Sequence, residues 1–91
     1  MKINFKAFDI YIDIEKKAKI NMDISTQIAN VLFENGTGIV SHTLAHKIYD
    51  GKDLEFNDDE LKFITAIINN YTSPRMIDSF SDYINTNNTK L

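Results

Sequence analysis

His42 and His46 are the only histidines of the 91-residue chain, and they stand one helical turn apart. Two imidazoles at that spacing can share a metal ion, as in the His-Glu-x-x-His helix of zinc peptidases. That motif needs a glutamate directly after the first histidine to act as base, and Thr43 holds the place here. A structural zinc site takes four ligands, mostly cysteine and histidine. The chain has no cysteine and no third histidine. Acidic ligands could complete a site, but no spacing selects them. The expectation is no metal and no cofactor, with both imidazoles on a solvated helix face.

The acidic run from Asp50 to Glu60, "DGKDLEFNDDE", has the composition of a calcium loop without its register. Such a loop wants acids at positions 1, 3 and 5, glycine at 6 and glutamate at 12. Counted from Asp53, position 6 is Asp58 and position 12 is Ile64. Nucleophilic chemistry has no cysteine, no strained serine elbow and no glycine-rich phosphate loop to build on. Pairs of carboxylates occur in any chain with 13 acids, so their presence selects nothing. The residues point to a protein that is not an enzyme.

A third reading is a DNA reader. "QIANVLFENGTGIVSHTLAHKI" has an alanine in a first helix, a glycine in the turn and a Val–Ser pair in a second. Gly36, however, lies seven residues after Ala29, where a helix-turn-helix places its glycine about four after the alanine. The exposed face of the second helix offers His42, Ala45, His46 and Tyr49, with Lys47 as its one permanent cation. Base edges are read mainly by Arg, Lys, Asn and Gln. Ten basic against thirteen acidic side chains leave a net charge of −3, without the basic footprint that phosphate binding needs. Nucleic acid is the less favoured partner, and a regulator with a degenerate helix-turn-helix is the alternative function.

The elements that must position these residues follow from periodicity. Residues 2–20 read as strand: Phe8, Ile10, Ile12 and Ile14 share one face, while Ile3, Phe5 and Ala7 have the opposite parity. The face switches near Ala7–Phe8 through a bulge, a bend or a break. "EKK" at 15–17 turns the chain without a glycine, and "AKINM" returns antiparallel. A first helix over 24–34 starts at Asp23 as N-cap and buries Ile24, Ile28, Val31 and Leu32. "ENG" ends it, with Asn35 or Gly36 in the left-handed conformation. Thr37 caps a second helix that runs to Asp50, with Gly51 beyond it and a stripe of Val40, Leu44 and Ile48.

"FNDDEL" is a helix start: Asn57 caps, Glu60 closes a capping box, and Phe56 and Leu61 occupy the staple positions. The third helix, 58–71, carries Leu61, Ile64, Ile68 and Tyr71, and Phe63 and Ile67 widen its apolar arc beyond one packing partner. Ser73 caps and Pro74 opens a fourth helix with Met76, Ile77, Phe80, Tyr83 and Ile84 inward. Strands followed by helices give an α+β domain, an N-terminal β-hairpin packed on four short helices. The domain spans residues 1–84, and "NTNNTKL" at 85–91 is a frayed polar tail.

No apolar run approaches the ~20 residues of a membrane span. The alternating, acid-bearing "MKINFKAFDIYIDIE" is unlike a signal peptide. The expected location is cytoplasmic, so the Asn-x-Thr triplets at Asn35, Asn70 and Asn87 are not glycosylation sites. What remains is interaction. His42, Ala45, His46 and Tyr49 on the second helix and Phe63 and Ile67 on the third are the candidate surface, with Tyr11 and Phe5 on the less covered face of the strands. A small core without disulfides also favours a homo-oligomer, unless the strands and first helix cover the wide arc of the third helix. The expected partner is a protein, another chain or a second copy.

The run "ANVLFENGTGIVSHTLAHKIYDGKDLEFNDDELKFITAIINNYTSPRMIDSF" resembles a group of small prophage and mobile-element proteins. The matching residues are Ala29, Asn30, Leu32, Gly38, Ala45, Lys47, Ile48, Tyr49 and Gly51, then Asp59 and Leu61, and the resemblance as a whole covers about two-thirds of the chain. The resemblance implies a phage or mobile-element setting and an accessory role, as regulator, inhibitor of a host system or assembly helper. It implies no activity.

Overall fold

The computed structural model describes residues 1–36, 38–51 and 54–88, with Asn88 by its backbone alone. The chain order is β1 (Lys2–Ile3), β2 (Phe8–Tyr11), β3 (Lys19–Met22), α1 (Ser25–Asn35), α2 (Gly38–Asp50), β4 (Leu54–Glu55), α3 (Asp58–Tyr71) and α4 (Pro74–Asn88). β2 and β3 form the expected antiparallel hairpin, with Phe8 opposite Met22 and Tyr11 opposite Lys19. The α+β reading of the sequence holds.

The change of strand parity is a break. Asn4 folds the chain into a turn, its Oδ1 accepting the Lys6 N–H at 3.0 Å and its C=O the Ala7 N–H at 3.3 Å. The residues before the turn join a second small sheet, β1 antiparallel to β4 with Ile3 opposite Leu54. Both parities are thereby buried: Ile3 before the turn and Phe5 within it, Phe8 and Ile10 after it. Phe5 is fully buried, which corrects its expected place on a less covered face. Beyond Tyr11 the alternation no longer reports burial, since Ile12 and Ile14 are exposed in the hairpin loop. Lys16 makes that turn with φ +60°, a left-handed conformation costly for a residue with a Cβ.

α1 packs on α2 and α3, and α4 packs on α3 and on β2. The N-terminus of α1 differs from expectation by one residue. Ile24 takes the N-cap position, while Asp23 accepts the backbone N–H of Ser25 at 2.9 Å and its hydroxyl at 2.6 Å. Gly36 ends the helix in an extended conformation, φ −78°, rather than a left-handed one. Among the described residues of this connection, Gly38 is left-handed, at φ +78°. Thr37, the expected cap of α2, lies outside the described residues. The buried stripe of α2 is Ser41, Leu44, Ala45 and Ile48, rotated from the expected one so that Val40 is exposed. On α3, Leu61, Ile64 and Ile68 are buried as expected, and Tyr71 is exposed. α4 continues past residue 84 to Asn88, and residues 89–91 lie outside the described residues.

α3 begins as the sequence requires. The Asn57 side chain accepts the Glu60 N–H at 2.8 Å, and the Glu60 carboxylate accepts the Asn57 N–H at 2.9 Å. Phe56 and Leu61 on either side of this box are buried in the core. Asn57→Ala is expected to cost about 1 kcal/mol and Glu60→Ala less, each removing one half of a reciprocal cap. Chemical denaturation of the two variants measures both, and unchanged midpoints would place the start of α3 elsewhere.

Candidate functional site

The α1–α2 pair brings three of the candidate residues together and adds one that periodicity did not select. His42 and His46 project from successive turns of α2, with ring centroids 4.6 Å apart. Phe33 of α1 lies beside both, 6.4 Å from His42 and 6.3 Å from His46, the second contact edge-to-face at 87°. Phe33 is 62% exposed and Tyr49, one turn beyond His46, is 55% exposed. Phe33, His46 and Tyr49 line a groove of about 360 Å³ together with Thr26, Ala29 and Asn30. Ala45 is on its wall, yet at 3% exposed it is core and not surface, a correction to the candidate set. With Leu44 and Ile48 it forms the buried seam of α2.

Aromatic rings held at a surface are the usual anchors of protein recognition, because they bury large area while losing little side-chain entropy. Phe33 was legible only as a large apolar side chain off the α1 stripe. Its helix already has Ile28, Ala29 and Leu32 for the core, which leaves Phe33 outward.

Phe63 and Ile67 belong elsewhere. Both are half-buried on α3 and pack against the core. Phe63 also lines a groove on the other side of α2, with Ile39, Val40 and Thr43. The six candidates therefore do not form one surface.

Among the described residues, no third His, Cys, Asp or Glu stands with the imidazoles to make a metal-binding group. Lys47, the cation of the would-be recognition helix, is held by partners within the chain. Its Nζ donates to the Glu55 carbonyl at 2.6 Å, lies 3.5 Å from the Glu60 carboxylate and sits 4.4 Å above the Phe56 ring. Its charge already has partners that a phosphate would have to displace.

A polar cluster ties the hairpin to α4. The Tyr11 hydroxyl donates to Asp82 Oδ2 at 2.7 Å, and Lys16 Nζ donates to the same oxygen at 2.8 Å. Tyr11 N–H donates to the buried Ser79 hydroxyl at 2.9 Å. Tyr11 is thus a packing residue between hairpin and helix rather than part of an uncovered sheet face. The Lys16 hydrogen bond, then the Tyr11 one, holds the Asp82 carboxyl below its ordinary value of 3.8. The bond to Asp82 raises the Tyr11 hydroxyl above 10.0 and the Lys16 ammonium above 10.5.

Linkage gives these shifts opposite windows. The Asp82 contribution is present above the ordinary carboxylate range and is lost as pH falls through its lowered value. The Tyr11 and Lys16 contributions are present below their ordinary values and are lost as pH rises through the raised ones. Asp82→Asn is expected to lower stability near neutrality and to flatten both limbs of the pH–stability curve. Denaturant midpoints across the acid and alkaline limbs check it; limbs as steep as those of the parent would remove the cluster from the account.

Among the described residues no helix is long and apolar enough to cross a membrane. No family model, curated protein or solved structure matches the chain.

Proposed function

We propose that this protein is a non-enzymatic accessory protein that acts by binding another protein through its α1–α2 face. The observation that carries the reading is the exposed ring cluster of Phe33, His42 and His46, with Tyr49 on the same open groove. Exposing two large aromatic side chains to water forgoes the transfer free energy that burial would return. A partner that covers them recovers it. The resemblance to prophage and mobile-element proteins suits a small accessory regulator, inhibitor or assembly helper located in the cytoplasm.

Binding to nucleic acid is the second reading, and the placement of Lys47 weighs against it. A mobility-shift assay at low salt separates the two, because phosphate-driven binding is strongest there. Retention of duplex DNA that falls steeply with salt would reverse the ranking.

The principal test pairs the parent chain with a Phe33→Ala, Tyr49→Ala double variant in affinity capture from the native host. Both side chains are exposed, so the double variant is expected to melt within a few degrees of the parent. A protein held by the parent and lost with the variant supports the reading. Identical proteins on both would remove the α1–α2 face from the account.

A further inference from the structure

We infer that a second copy of this chain pairs with the open edge of β3, joining two hairpins into one four-stranded antiparallel sheet. This surface is separate from the α1–α2 face and stands or falls without it.

The backbone makes the edge available. Ile12 N–H donates to the Ala18 carbonyl at 3.1 Å, which makes Ala18 a hydrogen-bonded position of the hairpin ladder. Antiparallel ladders alternate, so Ile20 and Met22 also turn their backbone groups toward β2. Lys19 and Asn21 turn theirs away. Among the described residues, the sheet holds β2 and β3 alone, and no third strand lies against that outer edge. The opposite edge, by contrast, is covered: the Tyr11 N–H there is satisfied by Ser79 of α4.

The side chains select the occupant. Ile20 and Met22 lie opposite Ile10 and Phe8, on the face of the sheet that points to the core. α4 packs on β2, while Ile20 is 50% and Met22 43% exposed on β3. Two copies of β3 related by a two-fold axis at Asn21 place Asn21 opposite Asn21 of the second copy. Ile20 then faces Met22, Met22 faces Ile20, and Lys19 faces Asp23 on both sides of the axis. The outward backbone groups of Asn21 meet their own counterparts, as a hydrogen-bonded antiparallel position requires. In this register the apolar residues pool on one face and two Lys–Asp pairs form on the other. Shifted by two residues, the strands would set Lys19 opposite Asn21 and leave the lysine without an acid across from it. An edge lysine usually blunts a strand against association; here Asp23, just past the other end of the strand with its Oδ1 holding Ser25, supplies the acid that meets it.

Sedimentation equilibrium of the parent chain from micromolar to about 1 mM is the first measurement, a range suited to a small interface. A concentration-dependent species at twice the 10.5 kDa chain mass is expected. Lys19→Glu opposes two carboxylates across the edge and is expected to weaken association about tenfold. Asn21→Pro removes an outward N–H and the side-chain bond from Asn21 to Asp9, but no backbone bond of the β2–β3 ladder, and is expected to abolish the dimer while the circular dichroism stays near the parent's and the thermal midpoint falls by a few degrees only. A chain that remains monomeric throughout the range overturns the inference. So does a dimer that persists unchanged in both folded variants, because it would use another surface.

Discussion

Phe5→Ala is expected to cost about 3–5 kcal/mol, the largest effect of any single truncation considered. The ring is fully buried at the meeting point of three elements. It stacks on Phe8 at 5.9 Å and 13°, on Phe80 at 6.2 Å and 16°, and meets Phe56 edge-on at 5.9 Å and 81°. Its loss removes the transfer free energy of a phenyl group and three aromatic contacts. It also leaves a cavity between hairpin, α4 and the residues before α3, where packed neighbours cannot collapse fully. The backbone at this point is fixed as well, the Phe5 carbonyl accepting the Ile24 N–H at 2.8 Å. A domain of this size has a total stability of roughly 5–10 kcal/mol, so the variant should lose a large fraction of it. Ile14→Ala is the matching control: Ile14 is 90% exposed, and its truncation should fall within about 0.5 kcal/mol of the parent. Equal urea midpoints for the parent and Phe5→Ala would mean that the aromatic cluster does not hold the core together.

The importance of Phe5 was hidden in the sequence for a definite reason. Period-two alternation reports which residues share a face, but not which face is covered, and it assumes that one strand continues. The Asn4 turn interrupts the strand, so two residues of opposite parity, Phe5 and Phe8, both reach the core. The partner of β1 was equally invisible. Leu54–Glu55 is two residues long, too short to show a period, and its pairing is set by the chain returning before α3. Helix starts fared better wherever side-chain chemistry is local: Asn57 and Glu60 close their cap across three residues, with no tertiary information needed. At Asp23 the chemistry was legible and its position was off by one, because an aspartate can reach Ser25 from just outside the helix. Of the candidate surface, the His42–His46–Tyr49 side followed from helical spacing. The burial of Ala45 and the presence of Phe33 depend on where α1 lies against α2, which spacing within one helix does not contain.

Gly36→Ala is expected to destabilise the protein by about 1–3 kcal/mol, although the backbone there suits any residue. Gly36 has φ −78°, so no conformational strain is involved. The cause is a close approach. A Cβ at this position would lie 1.7 Å from Ser41 Oγ, 2.5 Å from Ser41 Cβ and 2.8 Å from the Leu32 carbonyl. Ser41 cannot simply swing aside, because its buried hydroxyl donates to that same carbonyl at 2.6 Å and thereby ties the start of α2 to the end of α1. The Leu32 carbonyl also accepts the Gly36 N–H at 3.1 Å. An added methyl must therefore push α2 away from α1 or break the Ser41 bond, and either change shifts the α1–α2 seam on which Phe33 and His42 meet. Ser41→Ala alone should cost about 1 kcal/mol, since it removes one hydrogen bond while the carbonyl keeps its other donor. In the double variant the two costs should fall short of their sum, because once the hydroxyl is gone the new Cβ has less to displace. Urea midpoints for both single variants and the double variant close this cycle. Strict additivity would show that Gly36 and Ser41 do not touch, and that the α1–α2 connection runs along another path.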